Sequence, residues 1–186
     1  MRESSSSVVP RRRVLRAPRL ALFAYAVAFV VVMLDQLTKW LAEHQLVLYA
    51  PVEVTSFFNF TLVYNPGAAF SFLGGAGDWA RWMFTIFALA VSVVLVVWLA
   101  RLDASRRWTA LGLALLLGGA IGNVIDRLRI GMVVDFLDFH WAGMHWPAFN
   151  LADSAITVGA ALIIVAAFTE SQDIDSERRS AGSGKG

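Results

Sequence analysis

The chain of 186 residues contains no cysteine. That excludes a disulfide framework, a thiolate nucleophile, an iron–sulfur cluster and any cysteine-ligated zinc site. Charge is also scarce. Only 16% of the residues are Asp, Glu, Lys or Arg, against about 25% in soluble domains. The formal net charge of +2 is too small to suggest a nucleic-acid partner. Apolar residues fill the gap, at 58% of the chain and a mean hydropathy of +0.61. This composition rules out a disordered chain, argues against a soluble globule and points to a membrane protein. The length allows one compact domain, and no internal repeat is present.

Four blocks lack charge altogether: Leu20–Leu34, Trp82–Ala100, Trp108–Ile125 and Ser154–Thr169, of 15, 19, 18 and 16 residues. A hydrocarbon core needs about 20 helical residues, within a range of about 17–25. The second and third blocks suffice alone. The first suffices if its helix continues through Asp35-Gln-Leu-Thr-Lys39, and the fourth if its helix starts near Asn150. Each marginal span therefore carries a carboxylate near one end. Apolar residues surround each block instead of forming a stripe, as lipid-facing helices require. The basic flank of the first block (Arg11, Arg12, Arg13, Arg16, Arg19) is like that of a signal peptide. Its small-x-small triplets fall inside the apolar run, not after it, so a retained helix is expected.

Basic residues set the orientation. Twelve fall before the first span, in the 101–107 loop and in the tail; four (Lys39, Arg81, Arg127, Arg129) fall on the other side. Both termini are thus expected in the cytoplasm. The expected organisation is a basic, Ser-rich segment over 1–18, a four-helix membrane domain over 19–170 and a polar tail over 171–186, with mobile ends.

The outward segments hold the polar chemistry. Thr55–Tyr64, rich in aromatic and β-branched residues, reads as a strand or hairpin. Asn65-Pro66-Gly67 follows as a turn, Ala68–Leu73 as an interfacial segment and Gly74–Gly77 as a flexible one. In the second outward segment Gly118-Gly-Ala-Ile-Gly122 slims the end of span three for close packing, Gly131 breaks that helix, and Val133–Leu137 reads as a strand.

Most polar residues here have a plain structural use. Asp126 and Arg127 suit a charge pair, Asp35 and Lys39 an i,i+4 ion pair, and Asn150 a helix cap with Asp153 at the N-terminal dipole. His140 and His145 suit interfacial packing, with no HExxH motif and no third metal ligand. Asp135 is different: flanked by Val134 and Phe136, it carries a desolvation cost that calls for a use. Asp135 and Asp153 both fall at the outer membrane interface. Two such carboxylates in a poorly hydrated cleft share a proton, and one can then activate water while the other donates to a carbonyl.

Four blocks in order, Asp35-Gln-Leu-Thr-Lys39, Asn65-Pro-Gly-Ala-Ala-Phe-Ser71, Gly122-Asn-Val-Ile-Asp-Arg127 with Gly131-Met-Val-Val-Asp-Phe136, and Phe149-Asn-Leu-Ala-Asp-Ser154, resemble the bacterial lipoprotein signal peptidases (signal peptidase II). The resemblance spans roughly residues 20–170. It implies an all-α membrane protein with four transmembrane helices, a small extracytoplasmic β-sheet, and an interfacial segment between the first two helices. It implies an aspartic endopeptidase of the bacterial cytoplasmic (inner) membrane, without metal or cofactor. Its substrate would be a diacylglyceryl-modified prolipoprotein, cut just before the lipidated cysteine, and globomycin would inhibit it. By the same resemblance Asp135 and Asp153 are the catalytic pair. Asn123 and Asn150 hold its surroundings, Asn65 and Arg127 contact substrate or inhibitor, and Asp35, Lys39 and Asp126 are structural. Two other readings compete: a serine–lysine membrane hydrolase using Lys39 with Ser56 or Ser71, and a small transporter with a proton relay. The transporter fits poorly, because no span has a carboxylate near its midpoint.

Overall fold

Long charge-free runs have little choice but to become helices in lipid, where every backbone polar group must be satisfied within the segment. In the computed structural model, described for residues 18–67 and 78–183, they do so. The helices are α1 (Pro18–Gln45), α2 (Asp78–Arg101), α3 (Arg107–Arg129) and α4 (Leu151–Ser183). Their apolar stretches Pro18–Gln45, Arg81–Arg101, Arg107–Arg129 and Leu151–Thr169 are each long enough to cross a bilayer. α1 does continue through Asp35 and Lys39, and α4 does begin beside Asn150. The interfacial Ala68–Leu73 and the glycines of 74–77 lie outside the described residues.

The polar tail from Ser171 does not begin at a helix end, because α4 continues to Ser183. Residues 170–183 hold no proline and no glycine before Gly182, so no local signal stops the helix.

α3 is the central helix. Its apolar window is 61% buried, against 17–22% for the other three spans. It packs through Ala110, Leu113, Ala114 and Leu117 against Ala24 and Ala28 of α1 and Leu95 and Leu99 of α2. α4 reaches it over glycine: a Cβ at Gly119 would collide with the Ala152 carbonyl oxygen. The outer faces, with Phe29, Phe87 and Phe168 all at least 65% exposed, suit lipid.

The polar ends of these helices meet a four-stranded antiparallel sheet: β1 (Val52–Thr55), β2 (Phe58–Asn65), β3 (Val133–Trp141) and β4 (Met144–His145), in that order. The strand or hairpin expected over 55–64 is the turn and second strand of the β1–β2 hairpin, which starts earlier, at Val52. Gly131, at φ +82°, ends the passage from α3 into β3, a conformation costly for residues with a Cβ. Ala42, Leu62, Val134 and Phe136 form a second core that fixes the sheet to the end of α1. β3 is thereby both paired to β2 and anchored to the bundle.

Candidate active site at the junction of sheet and helices

Asp135 is the third residue of β3, and Asp153 lies in the first turn of α4. The chain between them folds back on itself. The amides of Phe136 and Leu137 donate to the Phe149 carbonyl at 3.0 and 2.9 Å, and the Phe149 amide donates to Leu137 O at 3.1 Å. Phe149 is thus stitched to β3, so Asn150 and the α4 N-terminus arrive beside Asp135.

Three asparagines surround the two carboxylates, and each has its amide orientation fixed elsewhere. Asn150 Oδ1 accepts from the Asp153 backbone N–H at 2.9 Å, the N-cap bond of α4. That leaves its Nδ2 to donate to Asp135 Oδ1 at 2.7 Å. Asn65 Oδ1 accepts from the Gly67 N–H at 2.8 Å, closing the expected turn, and its Nδ2 donates to Asp135 Oδ2 at 2.9 Å. Asn123 Oδ1 accepts from Lys39 Nζ at 3.0 Å and from Asn150 Nδ2 at 3.2 Å, while its own Nδ2 donates to Asp153 Oδ1 at 2.7 Å. Backbone N–H groups and an ammonium can only donate, so all three amides must turn their NH₂ groups toward the carboxylates.

Asp135 is only 1% exposed. Burial lifts its carboxyl from the usual 3.8 to about 6, and the neighbouring Asp153 carboxylate adds to the rise. The two amide donors and the charge of Lys39 oppose it. The result is a buried acid whose proton is exchangeable near neutral pH, electrostatically coupled to a second acid.

Behind the pair lies an ionic cluster. Lys39, 1% exposed, contacts Asp35 at 2.9 Å and Asp126 at 2.8 Å. The i,i+4 pair of Asp35 and Lys39 is therefore present, widened to a triad across α1 and α3. Asp126 does not pair with Arg127. Successive helical residues point about 100° apart, so Asp126 faces the buried Lys39 while Arg127 turns toward Phe84 of α2. The Arg127 guanidinium donates to the Asn123 carbonyl at 3.2 Å and lies 5.3 Å from the Phe84 ring centre. It remains within electrostatic range of Asp153, Asp126 and Asp135.

All three donors of Lys39 go to Asp35, Asp126 and Asn123, none to a serine, which removes the basis of a serine–lysine site. Ser56 occupies the β1–β2 turn, and Ser71 is outside the described residues. The rings of His140 and His145 stack at 5.1 Å, and His145 Nδ1 bonds Asp138 at 2.8 Å. Among the described residues no group of three potential ligands could hold a metal ion.

Sequence reasoning missed several supports. Gln36 bridges Asp35 and Asp126 at 3.2 and 3.1 Å; its place beside Asp35 in the first block was the available signal. Arg81 binds the Arg127 and Leu128 carbonyls at 2.8 and 3.1 Å, capping α3 from α2. Nothing in the sequence placed Phe84 under Arg127.

Comparison with known proteins follows the same lines. The family model for signal peptidase (SPase) II matches residues 27–169. A lipoprotein signal peptidase of Teredinibacter turnerae is 54% identical over 144 residues, covering 77% of this chain and 86% of its own. One from Polynucleobacter necessarius is 51% identical over 146 residues, covering 78% and 89%. A solved bacterial membrane enzyme superposes with a TM-score of 0.71 at 32% identity, over 83% of this chain and 97% of its own. The blocks that gather around Asp135 and Asp153 are thus embedded in family-wide similarity across all four spans, and the chain belongs to the signal peptidase II family.

Proposed function

We propose that Asp135 and Asp153 are the catalytic dyad of this aspartic endopeptidase, and that its substrate is a prolipoprotein already carrying diacylglycerol on its lipobox cysteine. Cleavage just before that cysteine releases the signal peptide. The observation that carries this reading is the coupled pair itself: a buried carboxyl raised to about 6 beside a second carboxylate, both held by fixed amide donors.

With one acid ionised and the other protonated, the ionised carboxylate takes a proton from water as its oxygen attacks the scissile carbonyl carbon. The protonated acid donates to the carbonyl oxygen. Collapse of the tetrahedral species breaks the C–N bond: the proton taken from water passes to the departing amine, and one hydroxyl of the tetrahedral carbon returns its proton to the other aspartate as C=O re-forms. Neither a metal nor a covalent intermediate enters these steps. Arg127 and Asn65 flank the pair from α3 and β2, where they hold the extended peptide backbone; a globomycin-type cyclic peptide would use the same contacts. Membrane lipid surrounds the cleft, as a lipid-bearing substrate needs. The basic residues, twelve against four, favour cytoplasmic termini and a site at the extracytoplasmic face of the bacterial inner membrane.

Purified protein should cut a diacylated prolipoprotein at the bond before the lipidated cysteine. Asp135→Asn and Asp153→Asn, near-isosteric but unable to exchange a proton, should each lose about 10²–10⁴-fold or more in turnover. Near-wild-type turnover by either folded variant would refute the dyad.

A further inference from the structure

We propose that Lys39 is a positioning residue for the peptidase reaction, holding both catalytic aspartates through the polar groups it gathers and not merely joining two helices. The inference rests on the Asp135–Asp153 reading above.

A simple interhelical ion pair needs one carboxylate, yet Lys39 holds two carboxylates and an amide. Each carboxylate then reaches a backbone group adjoining the dyad. Asp126 Oδ2 accepts from the Val134 N–H at 3.1 Å, one residue before Asp135. Asp35 Oδ1 accepts from the Ala152 N–H at 2.9 Å, one residue before Asp153. The third Lys39 donor goes to Asn123 Oδ1, which obliges Asn123 to present its NH₂ to Asp153. Flipping that amide would put NH₂ against the ammonium and against Asn150 Nδ2, and carbonyl oxygen against a carboxylate. Through three bonds Lys39 thus fixes the strand position of one aspartate, the helix position of the other, and the donor facing the second. The packing at this point leaves no slack: a Cβ at Gly122 would come within 2.5 Å of Asp35 Oδ2.

The cluster is also electrostatically asymmetric. Two carboxyls, those of Asp35 and Asp126, share the single ammonium of Lys39. The charged groups facing the dyad are Lys39 and Asp35 from α1 and Asp126 and Arg127 from α3; Arg81 of α2 is spent on the α3 carbonyls. Removing Lys39 therefore leaves a more negative surrounding, in which the dyad gives up its proton at higher pH.

The test compares wild type, Lys39→Met, and the charge-compensated pair Lys39→Met/Asp126→Asn, with cleavage of a diacylated prolipoprotein, thermal stability and the pH profile of kcat/KM as readouts. The amide that Asp126→Asn introduces can still accept from the Val134 N–H, so the double variant should regain most of the stability lost in Lys39→Met. Its kcat should stay about 10–100-fold low with KM within a few-fold, since Asn123 is no longer fixed. In Lys39→Met the alkaline limb of the profile, where the dyad loses its shared proton, should move up by about one pH unit. Recovery of wild-type kcat together with stability in the double variant would make Lys39 purely structural and overturn the proposal, as would failure of both variants to fold. Asp135→Asn is measured alongside. If it is inactive while Lys39→Met keeps wild-type kcat and pH profile, only the role of Lys39 falls. If Asp135→Asn is active, the dyad itself falls.

Discussion

Asp135 and Asp138 sit three residues apart on β3, 1% and 6% exposed, yet their carboxyls move in opposite directions. Burial lifts Asp135 to about 6. Burial also pushes Asp138 upward, but bonds from His145 at 2.8 Å, Thr61 at 2.9 Å and Asn59 at 3.4 Å outweigh it, and its carboxyl falls below 3.8. An odd spacing on a strand puts the two on opposite faces. Asp138 faces β2 and β4 partners, including a histidine able to carry charge. Asp135 faces the helix ends, where its direct donors are neutral amides and its charged neighbour Asp153 repels it. A buried carboxylate that is fully paired is structural; one given neutral donors beside a like charge is poised to exchange a proton.

The largest expected effect separates the two on the same strand. Asp135→Asn should abolish cleavage with the fold retained. Asp138→Asn should keep turnover within about threefold while losing about 1–3 kcal/mol of stability, the usual cost of leaving buried hydrogen-bond partners unsatisfied. Cleavage assays beside thermal melts of both variants read this directly.

A smaller effect is expected at Arg127, proposed above to hold the substrate backbone. Arg127→Ala should lower kcat/KM about 10–100-fold with little change in melting temperature. Arg127→Lys should recover only part of this, since lysine keeps the charge but lacks the planar fork. An early-melting Arg127→Ala that cleaves normally once folded would return Arg127 to a structural role.

The smallest effect is on stability against pH. Asp135 is raised in the folded state, so its favourable contribution is present at low pH and lost as pH rises from about 4 through about 6. Over two pH units or so the loss has an upper bound of about 3 kcal/mol. Asp138 is lowered, so its contribution is present above the unfolded value and lost as pH falls through its folded one. Melting temperatures of Asp135→Leu relative to wild type should therefore improve between pH 4 and 7. Those of Asp138→Asn should approach wild type only in stronger acid.

The sequence made the spans legible because uncharged runs of membrane length admit few structures. Asp135 stood out because a carboxylate between Val134 and Phe136 breaks a strand-like apolar run. Its pairing with Asp153 was suggested by their common place at the outer interface and made specific by the family blocks, since spacing alone does not reveal that Phe149 is stitched to β3. The partnership of Asp126 with Lys39 was not legible either. It depends on α1 and α3 meeting across Gly122, and a neighbouring Arg127 is the more obvious partner on paper. Asp138 drew no notice because its three partners come from β2 and β4, up to 79 residues away.

Whether the poised acid of β3 drives catalysis is decided most directly by the alkaline limb of kcat/KM on a diacylated prolipoprotein, where the shared proton is lost. The dyad should give an apparent pKa near 6, unchanged in His140→Gln and His145→Gln, because those imidazoles serve Asn59 and Asp138 on the other face of β3. A limb that disappears with either histidine, or that lies near pH 4 in wild type, would contradict the account.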